Sequence, residues 1–179
     1  MHADLSPVIA ATAQWLTRAY PASGGALAGA LCEVQARQAV TVAARLRYPT
    51  PMDVGLLDVT GPGGSARLDR ITGADGATGT GPDGDAWRTW VDEVVASWAA
   101  CLLTDPELAA LAVAAVADGE AVTGTPAGGP AGYRRLLAPD EGDRRAAALL
   151  RHPDLAAPVA DLHRAHLITL LRPGQALVA

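Results

Sequence analysis

His163 and His166, with Asp161 just ahead of them and His152 further back, have the types and spacing of metal ligands. On a helix, residues three apart share a face, so both imidazoles would reach one divalent ion. A complete site needs three or four ligands, and neither an HExxH pattern nor a CxxC pair accompanies these two. The expected role is therefore a solvated face of a C-terminal helix, with His163, His166 and Asp161 as weak metal candidates and no cofactor.

Residues 79–84 (GTGPDG) match GxGxxG by letter and precede a helical pattern. No buried apolar strand leads into them, and Asp83 and Asp85 would face the phosphates at the helix N-terminus, which is the wrong charge. The chain contains no lysine, which excludes a phosphate-binding loop of the GxxxxGK type. Asp75, Asp83 and Asp85 share a Gly-rich stretch but lack the spacing of a calcium loop. Cys32 has only Arg37 nearby, one turn on, and Cys101 lies inside an apolar stripe, where a cysteine acts as a small hydrophobe. No GxSxG elbow is present. No catalytic set emerges, so enzyme activity stays open but is not the favoured reading.

The more specific signal is aromatic. The chain has no phenylalanine and four tryptophans. Trp87, Trp90 and Trp98 fall on one side of a helix projected from about residue 86 to 102. They serve either as core anchors or as a patch for a partner or pocket wall, where tryptophan is enriched. Arg134, Arg135, Arg144 and Arg145 form a dilute basic surface in the C-terminal part. Residues 130–179 carry seven arginines against five acids, whereas residues 1–129 carry seven against fourteen.

These side chains must be positioned by short, mostly helical elements. Ser6-Pro7 reads as an N-cap and first-turn proline opening a helix. Residues 26–37 read as a second helix, and Asp105-Pro106 opens another. Short helical pieces follow at 133–138 and 141–151, and a last helix spans 154–171 with Pro158 near its start. Between 39 and 48, Val40, Val42, Ala44, Leu46 and Tyr48 alternate with Thr41, Ala43, Arg45 and Arg47, the period of a strand. Residues 54–60 and 65–72 flank Gly61-Pro62-Gly63-Gly64, a loop of hairpin type. Gly-rich stretches at 73–84 and 123–132 are expected to be mobile loops.

The fold expected is α+β and predominantly helical. It is a single-domain bundle over residues 1–179 with a small antiparallel ribbon at about 39–72. An all-α bundle, with 26–47 as one long helix, is the alternative.

Composition limits function further. Thirty-nine alanines, fourteen arginines and the absence of Lys, Asn and Phe indicate coding from a GC-rich bacterial genome. Half the residues are apolar and 18% are charged, as in a globular chain. A net charge of −5 disfavours nucleic acid. The longest uncharged run, Ala19 to Cys32, is too short and too rich in Gly to span a bilayer. Two cysteines and no visible leader suit a reduced, cytoplasmic setting. The expected function is a non-catalytic interaction module that works by docking another protein or by self-association. A small-molecule-binding helical sensor or carrier, or an enzyme of unknown class, are the alternatives.

Overall fold

The structure is a computed structural model that describes residues 4–74, 85–123 and 130–172. Every regular element among them is helical: α1 (Ser6–Ala19), α2 (Gly25–Arg47), α3 (Pro51–Thr60), α4 (Ala66–Thr72), a 3-10 turn (Ala86–Trp90), α5 (Glu93–Thr104), α6 (Pro106–Thr123), a second 3-10 turn (Pro130–Tyr133), α7 (Arg134–Leu137), α8 (Glu141–Ala146), α9 (Pro153–Ala160) and α10 (Arg164–Leu171). The ribbon expected at 39–72 is not there, and the all-α bundle is the architecture observed.

The correction has a physical reason at each piece. In a strand with one face on the core, Val40, Val42, Ala44, Leu46 and Tyr48 would form the buried row and Ala39 and Ala43 would face away from it. Here Ala39 and Ala43 are buried as well, along with Gln35 and Ala36, which is the i, i+3, i+4, i+7 pattern of a helix. Alanine is apolar enough to sit on either side of an alternation, so the period-two pattern carried no information. The helix propensity of Ala, Leu and Arg then outweighs two Val and a Thr. Tyr48-Pro49 ends α2, since the residue before a proline is pushed out of the α region.

The two arms read as a hairpin are also helices. Thr50 and Asp53 form a reciprocal capping box with Pro51 in the first turn, and this starts α3. Val54 and Leu57, three apart, point inward. Gly61, at φ 72°, closes α3 by donating its N–H to the Leu57 carbonyl at 2.8 Å. The loop 61–64 therefore joins α3 to α4, and Gly64 ties it to the bundle through the Val91 carbonyl at 3.0 Å.

Three smaller expectations also shift. Ser6 is the first residue of α1, not its cap, and its N–H and hydroxyl both donate to Asp4 Oδ1. The helix expected from about 86 to 102 is broken at Val91-Asp92, and Asp92 caps α5 by accepting from the Val95 N–H at 3.0 Å. The last helix is two, α9 and α10, separated by residues 161–163. The expected Asp105 cap is present, and its Oδ1 accepts from the Glu107 and Leu108 N–H groups at 3.1 Å.

At the centre α2 packs against α5. α1, α6 and α8 cover α2, and α9 covers α5. Val95 to Leu103 of α5 are all buried, the mark of a helix surrounded on every side. Trp15 and Trp98 are the largest side chains in the core. Trp15 donates to Asp69 Oδ1 at 2.8 Å, and Trp98 donates to the His163 carbonyl at 3.2 Å. Each ring removes about 150–250 Å² from water, so in an alanine-rich core these two weigh heavily.

Candidate functional site

The groups with the most chemistry near one opening are Tyr48, Asp92 and Glu93, at the meeting of the α2 C-terminus, α3 and the α5 N-terminus. They border a cleft of about 370 Å³ that Arg47, Asp53, Leu56, Leu57, Thr60 and Val94 also line. Asp92 is buried and accepts from the Val95 N–H and from the Tyr48 hydroxyl. Burial first, and the Asp92 carboxylate second, hold the Tyr48 phenol protonated well above its ordinary range. It is a fixed donor, not an acid. Glu93 Oε1 is taken by His163 Nε2 at 2.8 Å and by Arg67 Nη1 at 3.1 Å. Of the other polar groups of this cleft, Asp53 is held by the Thr50 cap and the Thr60 hydroxyl donates to the Leu56 carbonyl at 2.8 Å.

Leu56, on the wall of the cleft, continues outside it into an exposed apolar surface. On α3, Met52, Leu56 and Val59 recur at i, i+4 and i+7 and are 75%, 58% and 84% exposed. Val54 and Leu57 on the opposite side are buried. A short helix is therefore apolar on two faces, one facing the bundle and one facing water. Sequence reasoning missed it because a strand assignment scatters these residues over both sides of a ribbon. Read with helical period, 52–56–59 is visible in the sequence.

The metal candidates do not converge. His163 pairs with Glu93, while His166 stacks edge-on against Trp98, with ring centroids 5.3 Å apart. Asp161 borders a different groove, with Asp105 and Arg164. His152 sits at the start of α9. Among the described residues no group of three or more His, Cys, Asp or Glu is arranged to hold an ion. Asp75, Asp83 and residues 79–84 lie outside the described residues, as does most of each Gly-rich stretch.

The tryptophans separate as well. Trp98 is in the core, while Trp87 and Trp90 are half-buried in the 3-10 turn on the far side of the break at Val91-Asp92. Arg18 and Arg88 lie over the Trp87 ring at 4.8 and 5.7 Å. This helix stripe thus does not exist as one face. Both cysteines are buried and free, and burial pushes the Cys101 thiol up to about 11, which leaves it inert at neutral pH.

The chain matches no family model, no curated protein and no solved structure. Function rests on the geometry alone.

Of the C-terminal arginines, Arg134 is exposed, Arg144 donates to the Pro139 carbonyl, and Arg145 pairs with Glu141 across one exposed turn. Arg135 instead turns inward to Asp143, which is fully buried. The residue that sequence reasoning passed over is Arg151. Its Nε donates to Gln35 Oε1 at 2.6 Å, one Nη to the Leu103 carbonyl at 3.2 Å, and the other to the Arg135 carbonyl at 2.8 Å. Gln35 in turn donates to the Asp143 carbonyl at 2.9 Å. Positions 35, 135, 143 and 151 have no shared spacing that announces this network. Only the Asp140–Asp143 capping box was legible locally.

Proposed function

We propose that this chain is a non-catalytic, cytoplasmic interaction module that docks another protein through the outer face of α3. The observation that carries this reading is the exposed Met52–Leu56–Val59 stripe beside the cleft. Three large apolar residues aligned on one well-capped helix are a docking surface in the helix-in-groove manner. The engaged state of Tyr48, Asp92, Glu93 and His163 supports a role without chemistry. Two buried thiols and no helix, among the described residues, long and apolar enough to cross a membrane are compatible with it.

The test is an affinity capture from the native host with the intact chain and with Val59→Glu. Partner recovery should fall at least about tenfold in the variant, while Leu170→Glu, at an exposed apolar site on another helix, should leave it unchanged. Equal recovery by Val59→Glu overturns the reading.

A second groove of about 600 Å³ favours the small-molecule alternative. Leu103, Pro106, Leu137, Ala138, Pro139 and Ala148 wall it, with Arg144 and Arg151 at its polar side. Apolar walls with guanidinium groups suit an amphiphilic carboxylate. A thermal shift with medium-chain fatty acids that disappears in Arg144→Ala would favour that role.

A further inference from the structure

Arg151 is a half-buried cation held only by neutral groups. Its Nε donates to the Gln35 amide oxygen, one Nη to the Leu103 carbonyl and the other to the Arg135 carbonyl. Each Nη of a guanidinium carries a second N–H, and on Arg151 neither has a partner among the described residues. Burial pulls the Arg151 pKa below its ordinary value, the Asp143 carboxylate opposes this, and the Arg144 guanidinium adds to it. Arginine stays protonated all the same, so the charge is present and has no carboxylate in contact.

Arg144 and Arg151 both line the groove of about 600 Å³ walled by Leu103, Pro106, Leu137, Pro139 and Ala148. Arg144 is exposed, donates to the Pro139 carbonyl, and likewise has no ion pair among the described residues. The acids close by are already used, Asp143 by Arg135 and Glu141 by Arg145. In a chain of net charge −5, this corner sets two such cations beside apolar walls. An N–H on each of two neighbouring nitrogens suits the two oxygens of a carboxylate. No other lining residue has a side-chain donor, so the groove has nothing to hold the further oxygens of a polyanion.

We infer that Arg151 anchors the headgroup of a single-chain amphiphilic carboxylate, with Arg144 as a second cation and the tail along the Leu103–Leu137 wall. This inference rests on the small-molecule reading of the groove and names the residue that selects the ligand. Arg151 already ties α2, α5 and α7 together through its three acceptors. A bound carboxylate braces the same junction, so binding also raises the unfolding midpoint.

The test is calorimetric titration of the intact chain with decanoate, decanol and acetate. Decanoate should bind at least about tenfold more tightly than decanol, the scale of a hydrogen bond to a charged group, and acetate should show no binding. Arg144→Ala, at an exposed site, should weaken decanoate at least about fivefold. Arg151→Lys keeps the charge but loses the fork, and should weaken decanoate about tenfold while leaving decanol unchanged. Should that variant fail to fold, Ala148→Glu puts a carboxylate beside both guanidinium groups from an exposed position and should abolish decanoate binding.

No binding of decanoate, or binding indifferent to both Arg144→Ala and Ala148→Glu, overturns the inference. Equal affinity for decanoate and decanol also overturns it, but the small-molecule reading then survives if Ala148→Trp, which fills the groove, blocks both. If neither compound binds, that reading falls as well.

Discussion

Asp143 is fully buried in the bundle, where it accepts from Arg135 and also caps α8 reciprocally with Asp140. Removing one partner of such a pair leaves the other without compensation, and that loss outweighs the modest net value of the pair itself. Asp143→Ala is expected to cost about 3 kcal/mol in urea unfolding, the lower end of the usual range, because Arg135 keeps an edge in water. Gln35→Leu should cost about 1–3 kcal/mol by stranding Arg151 Nε, a buried-donor penalty. Cys101 gives a pH dependence of known sign. Its thiol titrates at about 11 folded against an ordinary 9.0, because burial disfavours the thiolate. The folded state therefore holds its proton longer than the unfolded state. Its contribution is fully present below pH 9 and is lost as pH rises towards 11. Unfolding followed from pH 8 to 11 should show a falling stability whose slope is shallower in Cys101→Ala. A residual slope will persist, since Tyr20 and Tyr48 are shifted in the same direction.

At the scale of elements, α3 is the helix whose stability and exposure can be varied separately. Its start depends on the Thr50–Asp53 box, and Thr50→Ala should weaken it by about 1 kcal/mol. Amide exchange should quicken across 51–60 with little change in α5, whose residues Val95 to Leu103 are all buried. Val59→Glu, by contrast, changes a residue that packs on nothing, so thermal stability should hold to within about 0.5 kcal/mol. The element also shows why the sequence misled. Thr50-Pro51-x-Asp53 is a legible helix start and 52–56–59 a legible stripe, but both were hidden by reading Gly61-Pro62-Gly63-Gly64 as a hairpin turn. Glycine at positive φ ends a helix as readily as it turns a strand. The Asp105-Pro106 start of α6 was legible because no competing pattern overlapped it.

For the whole molecule, the core is carried by a few large side chains embedded among alanines. Trp98→Ala should cost about 3–5 kcal/mol by cavity formation and lower the midpoint of thermal unfolding sharply. Chelation by EDTA should leave helical circular dichroism and the unfolding midpoint unchanged, since no described cluster is arranged to hold an ion. A drop on chelation would revive His163 and His166 as ligands.

The sequence alone determined that the chain is helix-rich and where several helices begin. Those properties are local: propensity, capping and proline act over three or four residues. Tertiary structure decided the rest. It made 39–47 the end of a long helix, because Ala39 and Ala43 are buried together with Val40, Val42 and Ala44, which a one-faced strand cannot do. It sent Trp98 to the core and Trp87 to an arginine-flanked surface, because a helix break at Asp92 lies between them. It joined Gln35, Arg135, Asp143 and Arg151, since burial leaves distant polar groups only one another to satisfy. And it left one face of α3 in water, a fact no residue spacing states, because exposure depends on what the other helices fail to cover.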